Sequence, residues 1–491
     1  MMRYIKRSHI NFAAVLRVIG MLLTIEAFFM LVPLITCIAY GEGDAQAFGI
    51  TVAITLVAGC ALAFGLKPSN PDMGKRDGFL LTALVWVFFS LFGMLPFMIG
   101  DAGMNMSDAF FEAMSGFTTT GASVIGSIDE LSRGAVMWRS LMQWLGGMGI
   151  ILFTLAVIPM LNHSGGMQMF NAEVTGITHD KLRPRISQTA KGLWGIYCVL
   201  TVLLAALLWV GPMDFYTALC YTFSTISTGG FTTTNSGLTE YGTLYVKIVL
   251  TVFMFLGGVS FSLMFRWWNG DHGSLWRNDV FRAYVRIILV CLMLFIITIL
   301  AIGAYTGIES VSIDPLFQII STLTSTGFMV EGARNWGPFV ISLLFVLMFF
   351  GACAGSTSGG AKIDRMLFLI KNANNEVYRC VHPNTILGVR INGVTASYDT
   401  VNKVIAFLCI YMMLIVGGGI ALTALDIPIV DAFFSSFACL SNTGLDVNIT
   451  GYGDNYMALP AAGKWVLSLE MLIGRLEIFT VLLLFTKGFW K

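Results

Sequence analysis

Apolar residues along the chain gather into runs of about twenty, the length a helix needs to cross a bilayer. Ten such runs are expected to be spans, near 12–39, 48–66, 78–100, 136–160, 192–211, 243–266, 284–307, 337–370, 401–425 and 461–487. The first is too long for a cleavable signal, and its charged neighbours suit a retained span. Between later runs lie four apolar segments too short to cross, each followed by small hydroxyl residues and glycine. They read DAFFEAMSGFTTTGA from Asp108, TALCYTFSTISTGGF from Thr217, DPLFQIISTLTSTGF from Asp314 and DAFFSSFACLSNTGL from Asp431. In each, a glycine falls 13 residues after the first letter, at Gly121, Gly230, Gly327 and Gly444. Each copy also follows one span and precedes the next, so the four form an internal repeat.

The apolar part of a copy, if helical, covers only about 14 Å at 1.5 Å per residue, so it must enter the membrane and turn back. Asp108, Asp314 and Asp431 stand where an N-cap is expected. Thr217 takes that place in the second copy, with Asp214 slightly upstream. The carboxyl end of each short helix then points to mid-membrane, where its partial negative charge favours a cation. Irregular backbone at that depth is tolerated only inside protein or beside a watery cavity. The residues expected to turn their carbonyls to a common axis are Thr118, Thr119 and Thr120 before Gly121; Ser227, Thr228 and Gly229 before Gly230; Thr324, Ser325 and Thr326 before Gly327; and Ser441, Asn442 and Thr443 before Gly444. Four such strands can replace the hydration shell of a monovalent cation.

Composition points the same way. Hydrophobic residues make up 56% of the 491 and charged residues 12%, about half the share in an average soluble protein, so the chain reads as a polytopic membrane protein. Net charge is +1, which leaves no basic field to hold nucleic acid. The nine cysteines are scattered without CxxC pairs, implying neither a disulfide framework nor a zinc site. Lysine and arginine concentrate in alternate loops: Lys67, Lys75 and Arg76; Lys181, Arg183, Arg185 and Lys191; Arg277, Arg282 and Arg286; and Lys362, Arg365, Lys371, Arg379, Arg390 and Lys403. By the positive-inside rule both termini are expected in the cytoplasm. The opposite loops hold few basic residues (Arg133, Arg139, Lys247, Arg334, Lys464). They carry instead Glu42, Asp44, Asp101, Asp129, Glu130, Glu240, Glu309, Glu331, Asp426, Asp446 and Asp454, an acidic outer face expected to gather cations.

Other function classes fit less well. GxxxxGK[ST], HExxH and GxSxG are absent and the five histidines are dispersed, so no enzyme is indicated. TVGYG and an arginine ladder are missing, which argues against a voltage-gated tetrameric channel. The alternative left open is a secondary carrier that couples cation uptake to protons or sodium by alternating access, although four repeats of one orientation favour a pore over inverted halves. Two further features are expected to matter. Arg475 lies in the last apolar run with only Glu470 and Glu477 as polar company, a costly place for a charge. The stretch from Gly351 to Lys362, with Gly355, Ser356, Thr357, Ser358, Gly359 and Gly360, interrupts the eighth run and cannot remain good helix.

MQWLGGMGI from Met142, KLRPRIS from Lys181, FSTISTGGF from Phe223, GACAGSTSGGAK from Gly351 and LIGRLEIFTVLLLF from Leu472 occur in that order. With the four filter-like segments they resemble the Trk/Ktr/HKT superfamily of potassium transporters, specifically its TrkH-type uptake subunits, over nearly the whole chain. The resemblance implies an all-α membrane protein in which four helix, pore-helix, helix repeats surround one pseudo-fourfold pore. Two N-terminal spans within 1–72 would precede repeats at 73–165, 190–270, 281–372 and 400–491. It implies a potassium-selective pore in the bacterial inner membrane, with potassium as the ion, no organic cofactor, a homodimer among membrane lipid, and a cytosolic nucleotide-binding ring of TrkA type on the basic inner loops. It also implies that residues 351–362, among them Gly351, Gly355, Ser356, Thr357, Gly359 and Gly360, obstruct the pore below the filter beside Arg475 as an electrostatic barrier. In plant relatives a serine at the first filter glycine goes with sodium permeation. Two positions depart from the pattern: the second copy lacks the capping aspartate, and Ser358 stands where a glycine is expected.

Overall fold

The computed structural model describes residues 10–68, 73–147, 149, 186–303, 307–330, 336–445 and 456–490. The second half of the span expected at 136–160, residues 181–185 of the KLRPRIS segment, and Glu331, Arg334, Asp446 and Asp454 lie outside the described residues. Most of what is described is helix. One small hairpin pairs Arg390 with Thr395 and Ile391 with Val394, antiparallel.

Two N-terminal spans come first: α1 (Phe12–Phe29) running on through α2 (Leu31–Tyr40), and α3 (Ala45–Gly65) packed against α1. Small residues permit that packing. A Cβ on Gly20 or Gly59 would run into the backbone of the facing helix, which is how glycine brings two membrane helices close. Then α4 (Lys75–Gly93) and α5 (Leu95–Ile99) lead to the short helix α6 (Met106–Phe117), followed by α7 (Arg133–Gly147). The same order recurs three times. A long helix is followed by two shorter ones: α8 (Ile186–Val210), α9 (Phe215–Ile226), α10 (Leu244–Gly257); α12 (Asp279–Ile302), α13 (Ile308–Leu323), α14 (Pro338–Phe350); α16 (Tyr398–Thr423), α17 (Ile429–Leu440), α18 (Ala461–Arg475).

Six helices or helix pairs among the described residues are long and apolar enough to cross a bilayer, fewer than the ten runs expected. The difference lies in the helix that follows each short helix. Of these helices, α10, α14 and α18 have 14, 13 and 15 residues, or roughly 20–22 Å each, and α7 is described only through Gly147 and at Gly149. The other three end at Gly257–Gly258, Gly351 and Gly474–Arg475. The sixth run therefore turns by 99° into α11 (Phe261–Trp268). The eighth breaks completely before α15 (Ile363–Val381). The tenth reverses its helical hand at Glu477 (φ 53°) and Ile478 (φ 58°) before α19 (Phe479–Leu484).

The expected caps also move. Asn105 caps α6, accepting from the Asp108 amide at 3.0 Å, so Asp108 sits in the first turn and pairs with Lys464 at 2.6 Å. Asp431 likewise lies inside the first turn of α17. Asp214, not Thr217, caps α9 by accepting from the amides of Tyr216 and Thr217. Helix α13 starts six residues before Asp314 and carries Pro315 inside it, leaving Asp314 on its flank in an ion pair with Lys247 at 2.6 Å. The outer surface is apolar, with Val210, Phe64 and Met413 each 70% exposed or more. Such a surface suits lipid, and the chain is a multi-pass membrane protein.

Candidate ion pathway

Each short helix ends in the same backbone turn. The residue two before the glycine adopts a left-handed conformation: Thr119 (φ 54°), Thr228 (φ 54°), Ser325 (φ 56°) and Asn442 (φ 50°). Its amide bonds three residues back, and the next amide bonds five residues back. In the first copy these are Thr119 to Gly116 (3.0 Å) and Thr120 to Ser115 (2.9 Å), and Thr228 and Gly229, Ser325 and Thr326, and Asn442 and Thr443 repeat the pattern. This is the Schellman ending of a helix, usually made with glycine. A side chain in that conformation costs roughly 1–2 kcal/mol, and the cost is accepted four times. The turn directs amides back to the helix and leaves carbonyls pointing forward. Among the described residues, the carbonyls of Thr119, Thr120, Thr228, Ser325, Thr326, Asn442 and Thr443 accept no hydrogen bond, although these residues are at most 1% exposed.

The four turns close a ring. A Cβ on Gly121 would overlap the carbonyl oxygen of Gly229; one on Gly230, that of Thr326; one on Gly327, that of Thr443; and one on Gly444, that of Thr120. Each glycine thus lies against the residue before the glycine of the next copy, and the fourth returns to the first. All four have positive φ, at 82°, 80°, 83° and 58°. Glycine is required here twice over, by conformation and by contact.

Polar side chains brace the ring from outside. Gln143 on α7 grips the second turn on both sides of Gly230. It donates to the Gly229 carbonyl at 2.7 Å and accepts from the Phe231 amide at 3.2 Å. In the first copy Glu112 accepts from the Val124 amide at 3.0 Å and pairs with Arg139 at 2.7 Å, both side chains essentially sealed from solvent. Gln318 plays the matching part in the third copy, accepting from the Val330 amide at 3.1 Å. Neither Arg139 nor Lys247 and Lys464 is the loop charge expected from the sequence: all three sit in helices and are paired. Some of the expected acidic outer face is also consumed internally. Asp44 accepts from the Asp101 amide and the Ser132 hydroxyl, and Glu42 accepts from the amides of Arg133 and Gly134.

Below the ring lies the segment 351–362, irregular throughout, with Gly351, Gly355 and Gly360 at positive φ. It touches three of the four turns from the helix side. The Gly359 amide donates to the Ser325 hydroxyl at 2.6 Å, the Gly360 amide donates to the Ser441 carbonyl at 2.9 Å, and the Thr357 hydroxyl lies 3.3 Å from the carbonyl of Ile226. Arg475 supplies the link to the remaining copy. It donates to the Thr357 carbonyl at 2.9 Å and to the carbonyls of Gly146 and Gly147 at the end of α7. The glutamates expected beside Arg475 are engaged elsewhere. Glu477 pairs with Arg365 and lies 3.9 Å from Lys362, and Glu470 accepts from Ser436 at 2.8 Å. Ser356 faces back within the segment, bonding Ser358 at 2.7 Å.

Of the residues named from the four filter-like segments, each glycine and the residue before it meet across copies in one ring, the others standing in the turns that lead to it, and Thr357 of the interrupted span meets Arg475 beneath it. The bracing residues were not anticipated. Their signal was available in the aligned copies, where Glu112 and Gln318 occupy the same place, nine residues before the glycine.

The TrkH family model, described as a cation transport protein, matches residues 44–490. The Trk system potassium uptake protein TrkH of Escherichia coli strain K12 is 33% identical over 484 residues, covering 98% of this chain and all of that one. The protein of the same name from Halomonas elongata is 35% identical over 483 residues, covering 97% and 99%. Among solved structures, the crystal structure of the potassium transporter TrkH from Vibrio parahaemolyticus superposes with a TM-score of 0.88 at 32% identity, covering 98% of this chain and 100% of that one. With the family model matching residues 44–490 and these relatives matching nearly the full length, the chain belongs to the TrkH family of cation transport proteins.

Proposed function

We propose that the chain is the potassium-conducting subunit of a Trk-type potassium uptake system. The observation that carries this is the ring of buried carbonyls with no internal donor: an unpaired buried polar group costs free energy, and a dehydrated cation at the axis satisfies all of them together. Thr118, Ser227, Thr324 and Ser441 open the four strands of the filter, and Gly121, Gly230, Gly327 and Gly444 let them pack. The relatives named for potassium uptake support potassium as the ion, with rubidium as its mimic.

Gating falls to the segment 351–362 and Arg475. Gly351, Gly355, Gly359 and Gly360 give the segment its freedom, and Ser356 and Thr357 give it its bonds. The chain works as a homodimer in the bacterial inner membrane, with both termini in the cytoplasm and a TrkA-type nucleotide-binding ring docked on the basic inner loops. Rubidium-86 uptake into proteoliposomes under an imposed inside-negative potential tests this reading. Uptake that follows the potential and is suppressed by potassium supports it, and uptake no faster than in protein-free vesicles refutes it.

A further inference from the structure

We propose that the side chain of Asn442 is a positioning residue that sets ion preference: it ties the fourth strand of the filter to the first, at the seam where the ring closes. The inference rests on the pore reading given above and deepens it. At the left-handed place of the turn the other three copies carry hydroxyls, and none of these reaches another copy's turn among the described residues. Thr228 donates to the Ser227 carbonyl and Ser325 to the Thr324 carbonyl, each at 2.6 Å, and the Thr119 hydroxyl has no hydrogen-bond partner. Asn442 does reach the neighbouring copy. Its Nδ2 donates to the Thr120 hydroxyl and to the Met471 carbonyl on α18, both at 3.0 Å. A carbonyl can only accept, so Met471 fixes the amide nitrogen on that side. Gly474 gives the amide its room, since a Cβ there would come within 2.8 Å of Asn442 Oδ1.

Asparagine tolerates the left-handed conformation better than most residues, but tolerance does not account for the amide. Threonine and serine make the same turn at Thr119, Thr228 and Ser325. Asparagine also strands a buried acceptor, because Oδ1 has no donor among the described residues and Asn442 is 1% exposed. Such an atom is a cost that a hydroxyl would avoid, so the gain lies in the two bonds from Nδ2. Those bonds order the first strand. The Thr118 hydroxyl donates to the Met114 carbonyl at 2.6 Å, so in its 2.8 Å contact with Thr120 it accepts. Thr120 therefore gives its proton to Thr118 and accepts from Asn442, and one directed chain runs from the fourth copy into the first. The first and fourth strands stand 322 residues apart in sequence, so no short connection keeps them in register. Their seam also departs from the others: Gly444 has φ 58° where the other three glycines have 80–83°, and it packs on the Thr120 oxygen and the Ala122 nitrogen together. Thr120 carries one of the ring carbonyls, and the place and field of those carbonyls decide which ion they suit.

The test is rubidium-86 uptake by the full chain in proteoliposomes, competed by potassium and by sodium, with the ratio of the two half-inhibiting concentrations as readout. A loss of stability alone reduces the amount of folded protein and leaves that ratio unmoved in what remains. Asn442→Ser, which places the third copy's residue in the fourth, should bring the ratio about fivefold closer to one, the worth of one buried hydrogen bond. Thr120→Val removes the same bond from the other side at nearly constant shape, and it carries the test should Asn442→Ser not assemble. The double variant should lose no more than the larger single effect, because both substitutions remove one interaction. A folded Asn442→Ser or Thr120→Val protein with the parent's ratio overturns the proposal, as does a double variant whose loss is the product of the two single losses. A parent whose uptake potassium does not suppress overturns the pore reading itself, and this inference with it.

Discussion

Arg475 donates to the backbone carbonyl of Thr357 at 2.9 Å, joining the end of the last span to the middle of the interrupted one. Arg475 and the interrupted span are thus one assembly beneath the ring. If Arg475 stands about 5 Å from a passing ion at an effective dielectric near 20, it repels that ion by roughly 3 kcal/mol, which slows passage about a hundredfold. Arg475→Ala and a deletion within Ala354–Gly359 should each raise rubidium-86 uptake in proteoliposomes free of any cytosolic partner. Because the two elements touch, their combination should fall short of the product of the separate effects. Unchanged or lower uptake by both, at normal amounts of folded protein, would reduce Arg475 to a structural residue.

Gln143 holds the second turn by the Gly229 carbonyl and the Phe231 amide. Gln143→Leu keeps the volume but leaves both backbone groups without a partner, a cost of about 1–3 kcal/mol each. The ring should loosen there, and the preference for potassium over sodium, read from competition with rubidium uptake, should fall. A variant as selective as the parent would show that the ring holds its shape without this brace.

The Glu112–Arg139 pair is sealed from solvent on both sides. Removing one partner strands the other, which costs about 3–5 kcal/mol in buried pairs. Arg139→Met should therefore lower the thermal midpoint of the purified protein markedly, and Glu112→Gln, which can still accept from the Val124 amide, should lower it less. Equal and small shifts in both would mean that water reaches the pair.

The basic inner loops should bind a cytosolic ring protein in a salt-sensitive way. Purification at low salt from cells expressing both subunits should recover the two together. Raising the salt should release the ring protein, and recovery of the membrane subunit alone at low salt would count against the docking.

Much of the ring was legible because its parts are local. The turn is built within one segment, so four segments with a glycine at a fixed place, Gly121, Gly230, Gly327 and Gly444, already carry it. The broken spans were not legible from hydropathy, which scores residues such as Gly257, Gly258 and Val259 as membrane-compatible whether the helix continues or bends by 99°. The bend is stabilised from a distance, by the Phe261 amide donating to the Gly355 carbonyl of the interrupted span at 2.9 Å. Charge counting failed at Arg139, Lys247 and Lys464 for a similar reason. Their partners Glu112, Asp314 and Asp108 belong to short helices that only the folded arrangement brings alongside.

The central claim is that the carbonyl ring itself chooses the ion, and Gly121 is where it is most exposed to test. Gly121 has φ 82° and no room for a side chain against Gly229. Rubidium-86 uptake in proteoliposomes, competed in turn by potassium, sodium and lithium, should be suppressed in the parent by potassium far more than by sodium or lithium. In Gly121→Ser, potassium and sodium should compete much more nearly alike. A folded Gly121→Ser protein that keeps the parent's discrimination would contradict the claim and place selection elsewhere in the chain.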